Sequence, residues 1–384
     1  MSINTCYIIA GEVSGDRLGA GIMRELKASN PNIRFFGVGG PMMEAEGLSS
    51  LFPYEELAVM GFLEILPKAL HLMARIDYVV DNIQLKKPDV VVTIDSPGFN
   101  FRVVKKARKR DIASQFIHVV APTVWAYKEK RAAACAQLFD HMLVLLPFEP
   151  PYFEKHGLPA TFIGHPTVAA SRPSGDGEAF RRRHHIGEDR TIIALLPGSR
   201  DNEIKRHMAL MSQVVDEVAS EFPDPVIVSS APPHIRHALQ HYFAHSPYRN
   251  ILVFDAEDKM DAFAAADVAL VKSGTVSLEV AYAGTPMVVM YKANAITAEI
   301  VRLLIKVPYV SLVNILLGQL VIPEFLQQDA TVEKLSNQLK ALLRDTNEQQ
   351  AQQAAFKRAV SMLRKSDAHP AVEAAQIIQT IHTP

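Results

Sequence analysis

The sequence predicts an α/β protein of two tandem domains, each a doubly wound parallel sheet flanked by helices. Three observations predict it. Short β-branched runs alternate with amphipathic stretches through both halves of the chain, the pattern left by right-handed crossovers between parallel strands. The pattern lapses over Ala170–Arg190, which is poor in large apolar residues and holds Pro173, Gly175, Gly177 and the basic run Arg181–His185, and then restarts. Finally, 384 residues exceed what one ordinary core organises.

In order, Cys6–Ala10 is a strand leading into Gly11–Asp16 and a helix over Leu18–Ala28. Arg34–Val38 precedes Gly39-Gly40-Pro41, and Val90–Ile94 precedes Asp95–Asn100. Ser114–Val120 runs into Ala121-Pro122-Thr123, and His141–Leu145 into Pro147-Phe148-Glu149. After the lapse, Thr191–Leu196, Val226–Ser230, Ile251–Phe254, Val268–Val271 and Met287–Tyr291 read as strands separated by helices. From about Thr331 onward the chain is Gln/Ala/Leu-rich and helical. The expected division is a first Rossmann-like domain over 1–170, a linker and second-domain start over 171–190, a second Rossmann-like domain over 191–345, and C-terminal helices over 346–384 that either return to the first domain or are exchanged in a dimer. The two parallel sheets are expected to face each other across a cleft, where such folds bind ligands.

Composition narrows the function classes. Hydrophobic residues make up 48% and charged residues 21%, which suits a packed globular protein. A net charge of -1 gives no field that favours nucleic acid. The two cysteines, Cys6 and Cys135, lie in apolar contexts and suggest structural thiols in a reducing compartment, without a zinc framework. The N-terminus lacks a basic flank and enters a strand directly, unlike a signal peptide. The best candidate span, Val307–Pro323, carries Ser311, Asn314, Gln319 and a proline at each end, so no membrane-crossing helix is expected. A soluble cytoplasmic protein is the expectation.

Ser273-Gly-Thr-Val-Ser-Leu-Glu279 follows the apolar run Val268–Val271. A buried strand, a tight turn and a helix start leave unpaired amides at the positive end of the helix dipole, which suits an anion. Thr275 and Glu279 are four residues apart on one helical face. A diphosphate at the amides with ribose hydroxyls on the acid is one reading; an ordinary helix capped by Ser273 or Thr275 is the other. Leu195-Leu-Pro-Gly-Ser-Arg200 leaves a strand's carboxyl end, with Gly198 for the turn, Ser199 beside it, and the Arg200 fork suited to diphosphate; a surface loop with an exposed arginine is the alternative. Gly11-Glu-Val-Ser-Gly-Asp16 lets backbone approach a ligand at Gly11 and Gly15, while Ser14 or Asp16 caps the next helix. It is not the dinucleotide glycine fingerprint, so no nicotinamide cofactor is expected. Asp95, on an apolar strand tip, is either a general base with a pKa raised by desolvation or a turn aspartate before Ser96-Pro97-Gly98.

His118 reads as a core histidine and His165 as a turn residue. Trp125, the only tryptophan, lies in Pro122-Thr-Val-Trp-Ala-Tyr127 as a wall of an acceptor pocket or as packing. In Val59–Val80, the apolar residues, among them Phe62, Leu63, Leu66, Leu70 and Met73, cover about half of a helix with 3.6 residues per turn. Pro67 breaks that run or starts a second helix. With Lys68, His71, Arg75 and the basic run Arg102–Arg110 at its edges, this face suits membrane docking or an acyl groove; a helix buried on two sides is the alternative. There is no Walker loop, no His-Glu-x-x-His, no Gly-x-Ser-x-Gly and no Asp-x-Asp pair. No metal site and no cofactor are therefore expected.

With these motifs on the page, the chain resembles the lipid-A-disaccharide synthases, glycosyltransferases of the GT-B fold, over nearly its whole length. The resemblance rests on Gly11–Asp16, Glu56-Leu-Ala-Val-Met-Gly61, Asp95-Ser-Pro-Gly-Phe-Asn100, Pro122–Ala126, Phe162-Ile-Gly-His165, Leu195–Arg200, Ser273-Gly-Thr and Tyr309-Val-Ser-Leu-Val-Asn314. It implies transfer of a sugar from UDP-diacylglucosamine to the 6-hydroxyl of diacylglucosamine 1-phosphate, with inversion and without a metal. It implies Asp95 as base, Arg200 with the Gly274–Thr275 amides on the diphosphate, Glu279 on the ribose, and Asn314 acting through the donor. The first domain would then face the acceptor and the membrane. Some members have a second aspartate where this chain has Gly98, so a two-carboxylate scheme does not carry over. The resemblance also implies peripheral association with the inner face of the cytoplasmic membrane and a homodimer with exchanged C-terminal segments. Two rivals stand beside it: a UDP-sugar epimerase on the same fold, and a nucleotide-regulated membrane-binding protein.

Overall fold

The computed structural model describes residues 3–57, 65–126, 129–169, 174–230, 235–254, 256–293 and 307–382. Two compact units divide the chain: Met1–Ala169 with Leu363–Pro384, and Ala170–Met362. The first holds β1 Thr5–Ala10, β2 Arg34–Val38, β3 Val90–Ile94, β4 Gln115–Val119, β5 His141–Val144 and β6 Ala160–Phe162. They form one parallel sheet in the order β2-β1-β3-β4-β5-β6. Every residue of β1 and β3 is buried, because helices cover both faces of a parallel sheet. Alternation decides which face each fills. Tyr7 and Ile9 join the core under the helix Ile65–Lys86, whereas Cys6, Ile8 and Ala10 pack with the helix Val13–Ser29.

The second unit holds β7 Ile192–Leu196, β8 Val226–Ser230, β9 Arg249–Val253, β10 Val268–Lys272, β11 Met287–Tyr291 and β12 Glu324–Leu326, parallel in the order β12-β11-β10-β7-β8-β9. Ile193, Leu195, Val268 and Leu270 pack against Met211, Val214, Val215 and Val218 of the helix Asp201–Ala219. The fold class is thus as the sequence predicts: two doubly wound α/β units with parallel sheets.

Three local findings refine the reading. Pro67 falls within the described helix Ile65–Lys86, so the helix does not end there. The helix Val276–Ala283 stops at Gly284, whose φ of +85 supplies the left-handed cap. The last helix, Pro370–His382, returns to the first unit and lies on Val13–Ser29, with Ala371, Ala374, Ala375 and Ile378 in that core. Its approach is close at Gly21, where an added Cβ would sit 2.8 Å from that of Ala371. Among the described residues, no helix is long and apolar enough to cross a membrane.

Candidate functional site

In the first unit the winding direction reverses between β1 and β3, the point at which open α/β sheets bind ligands. The Gly11–Asp16 loop leaves β1 and the Asp95–Asn100 loop leaves β3, so two sequence motifs converge there. Their contact is tight. A Cβ at Gly11 would stand 2.8 Å from Ser96 Oγ and 3.1 Å from Leu57 Cβ. Asp95 and Ser96 are both left-handed, at φ +49 and +44. Two such residues in succession store strain of about 1–3 kcal/mol each, and surrounding bonds must hold them. The Asp95 N–H donates to Val119 O at 2.9 Å, and the Ser96 N–H to Asp95 Oδ1 at 2.8 Å. Buried Asn100 donates from Nδ2 to Ile94 O at 3.2 Å and Asp95 O at 2.7 Å. Burial raises the Asp95 carboxyl pKa against the lowering effect of the Ser96 N–H.

Asp16 has a different task from the helix cap expected of it. It lies inside the helix Val13–Ser29, is 2% exposed, and accepts from the N–H groups of Gly40, Met42 and Met43 at 2.9, 3.0 and 3.0 Å. It therefore caps the next helix, Pro41–Ala45, and joins the loops after β1 and β2. Ser14 is exposed in the first turn of the helix Val13–Ser29, and Gly15 packs close to Ala10.

Trp125 is buried and packs edge-on against Phe148. Its Nε1–H donates to Glu149 Oε1 at 3.1 Å, while Glu149 Oε2 accepts from the Leu146 N–H at 3.0 Å. Of the two readings of Trp125, the structure supports packing. Glu149 was invisible in the sequence, since nothing in Pro147-Phe148-Glu149 marks a buried acid. Burial pushes its carboxyl up to about 7 despite the donors from Leu146, Trp125 and Leu145. His118 is a core histidine: Nδ1 lies 2.7 Å from Thr93 Oγ1 and the ring stacks on Phe139, although among the described residues Nε2 has no partner. His165 accepts from the Thr167 N–H in its turn.

The second unit repeats the geometry. Its winding reverses between β7 and β10, which release the Pro197–Arg200 and Ser273–Thr275 loops side by side. Gly198 has φ +125, and a Cβ there would come within 2.3 Å of Glu203 Oε2. Glu203 Oε2 accepts the Ser199 N–H at 3.0 Å, and Oε1 is 3.0 Å from Lys272 Nζ. Burial pushes the Glu203 carboxyl up, but Lys272 and the Ser199 amide outweigh it and the pKa is lowered. Arg200 is exposed and heads the helix Asp201–Ala219. Ser273 donates from Oγ to Val310 O at 3.1 Å, and Ser277, not Ser273 or Thr275, makes the side-chain bond at the helix start, to Gly274 O at 2.7 Å. Glu279 receives Lys259 Nζ at 2.8 and 2.9 Å.

Asn314 is fully buried. Its Oδ1 accepts from Val321 and Ile322 N–H, each at 2.9 Å, and its Nδ2 donates to Ile322 O and Glu324 Oε1, each at 2.8 Å. Glu324, which sequence reasoning passed over, also accepts the N–H groups of Val310 and Ser311 at 2.9 and 2.8 Å. Asn314 and Glu324 thus fold the segment whose Val310 carbonyl touches Ser273.

On the proposed acyl face, Phe62, Leu63 and the side chain of Leu66 lie outside the described residues. Leu70 is 81% and Met73 61% exposed, while Ile76, Val79, Val80 and Ile83 are buried. The basic run is partly neutralised by the same helix. Lys106 pairs with Asp77, and Arg110 with Asp81 at 2.5 Å; Arg108 pairs with Asp140 at 2.7 Å. Among the described residues no cluster of three His, Cys, Asp or Glu side chains could hold a metal ion.

Comparison with known proteins adds identity. The family described as lipid-A-disaccharide synthetase matches residues 6–378. A lipid-A-disaccharide synthase of Rhodospirillum centenum is 41% identical over 378 residues, 98% of this chain and 94% of the relative; one of Gluconobacter oxydans is 42% identical over 379, covering 98% and 91%. Among solved structures, S. aureus MnaA with UDP aligns at TM-score 0.63 with 15% identity, covering 99% of this chain and 96% of the other. The UDP-GlcNAc 2-epimerase of Neisseria meningitidis bound to UDP-GlcNAc also aligns at 0.63, with 12% identity and coverage of 98% and 99%. At such identity these neighbours share the GT-B type of fold alone, and the epimerase rival is not favoured. The whole-length match at about 40% identity decides the family. The chain belongs to the lipid-A-disaccharide synthase family, glycosyltransferases of lipid A biosynthesis.

Proposed function

We propose that the protein transfers the glucosamine of UDP-2,3-diacylglucosamine to the 6-hydroxyl of 2,3-diacylglucosamine 1-phosphate, giving the β(1→6) disaccharide 1-phosphate and UDP. The observation that carries this reading is the pairing of motifs at both winding reversals, Gly11 with Asp95 in one unit and Arg200 with Ser273–Thr275 in the other. In this scheme the acceptor O6 attacks the anomeric carbon as the bond to the diphosphate oxygen breaks, and the configuration inverts. The O6 proton passes to the Asp95 carboxylate, and the charge on departing UDP is met by Arg200 and the Gly274–Thr275 amides. Glu279 takes the ribose hydroxyls. Asn314 acts as a positioning residue, because its four hydrogen bonds shape the segment beside Ser273.

Both substrates carry acyl chains, which favours peripheral attachment to the inner face of the cytoplasmic membrane through Leu70, Met73 and their neighbours. A homodimer with exchanged C-terminal segments belongs to the same reading. The test is incubation of purified protein with UDP-diacylglucosamine, with and without the monosaccharide phosphate. UDP release only when both are present, with a disaccharide phosphate by mass spectrometry, is expected. Release without the acceptor, or an epimerised UDP-sugar, overturns the reading.

A further inference from the structure

We infer that Lys272 is a second cation of the diphosphate pocket, held on Glu203 so that one ammonium serves both loops; this rests on the donor site proposed above. Lys272 is the last residue of β10, one position before Ser273-Gly-Thr, and β10 adjoins β7 at the winding reversal. Its side chain is 18% exposed, so it does not swing in bulk water as a surface lysine does. Nζ lies 3.0 Å from Glu203 Oε1, about 5.4 Å from the Tyr291 ring centre, and 3.7 Å from where a Gly274 Cβ would be. The ammonium is therefore set over the turn whose amides are offered to the anion.

Glu203 is the reason it stays there. The same carboxylate takes the Ser199 N–H on its other oxygen, so one acid bridges the Pro197–Arg200 loop to the lysine beside the Ser273–Thr275 loop. An ammonium has three N–H donors, and Glu203 engages one of them. A diphosphate oxygen between the two loops can take another without the pair separating. The acid neutralises Lys272 while the site is empty and leaves it directed at the anion when the site fills. Such a cation contributes most where the second phosphate sits, because a diphosphate brings at least one more negative charge than a monophosphate. Lys272 is thus assigned a part in distinguishing nucleoside diphosphates from monophosphates, and in stabilising the leaving group as its charge grows.

The experiment measures UDP and UMP affinity by calorimetry on the full chain, for the wild type, Lys272→Met, Lys272→Arg, Glu203→Gln and the double variant Lys272→Met/Glu203→Gln. Lys272→Met is expected to weaken UDP about tenfold, the worth of one charge-assisted bond, and UMP by no more than about twofold. Lys272→Arg should retain most of the preference. The double variant leaves no unpaired charge behind, and it should still lack the preference if charge on the anion is what Lys272 supplies. Equal losses for UDP and UMP, or recovery of the preference in the double variant, would mean that Lys272 only braces the loops, and the inference falls. Unchanged UDP affinity in Lys272→Met also overturns it. If the wild type binds neither nucleotide, the donor site itself is wrong, a different failure from the other three.

Discussion

Among single residues, Glu149 makes the sharpest claim about pH. It is 3% exposed and its carboxyl is pushed from 4.5 to about 7 by burial. A folded pKa above the unfolded one means that the group favours the native state when protonated. Its contribution is fully present below the unfolded value and is lost as pH rises through about 7, a change of about 3 kcal/mol. Thermal melts from pH 5 to 8 should therefore show the wild type losing more stability than Glu149→Gln. Trp125 is the only tryptophan and its indole N–H rests on this carboxylate, so its emission should titrate near the same pH. Emission that stays flat from pH 5 to 8 would reject the assignment. Residues differed in how far they could be read beforehand. Asp95 stood out because an acid capping an all-apolar strand is a visible break in pattern. Glu149, Glu203 and Glu324 left no such mark, since what each holds is set by loops that only the folded chain brings near.

Elements were legible where turn residues bound a β-rich run. β2, β3, β8 and β11 were read to the residue because each holds a short run of β-branched, aromatic or other apolar residues bounded by Pro, Gly, Asp, Asn or Ser. β6 and β12 were missed; each has three residues at a sheet edge, too few to show a period. The Asp16 cap was misplaced for a related reason, since the capped helix begins 25 residues later and no local motif encodes it. Asp16→Ala should cost about 2 kcal/mol by leaving three N–H groups without their acceptor, which chemical denaturation would measure. A loss below about 0.5 kcal/mol would show that water replaces the carboxylate. In the second unit, Gly198→Ala must strain a turn at φ +125 and displace Glu203. UDP affinity should fall at least about tenfold, with a smaller change in melting temperature. Retention of wild-type affinity would separate this turn from the donor site.

At the scale of the molecule, the two sheets use one device twice, a winding reversal that releases two loops side by side. That repetition was readable from the restart of the strand pattern after Arg190, whereas the return of Pro370–His382 to the first unit was one of two alternatives, because it depends on contacts more than 300 residues apart in sequence. Attachment to lipid can be tested without disturbing either core. Leu70 and Met73 are mostly exposed, so Leu70→Ser/Met73→Ser should leave melting unchanged and reduce sedimentation with anionic vesicles. Because Lys106 and Arg110 already pair with Asp77 and Asp81, salt should weaken sedimentation less than this apolar change does. Sedimentation unaffected by the double serine variant would move the membrane contact elsewhere. The most direct measurement of the central proposal, that this chain forms the disaccharide with Asp95 as base and Arg200 on the leaving group, is single-turnover disaccharide formation by Asp95→Asn and Arg200→Ala at saturating substrate. Each is predicted to slow by about 10² or more while the protein melts as the wild type does, and the wild-type rate should decline on the acid side above the ordinary aspartate range. A wild-type rate in Asp95→Asn would contradict the account.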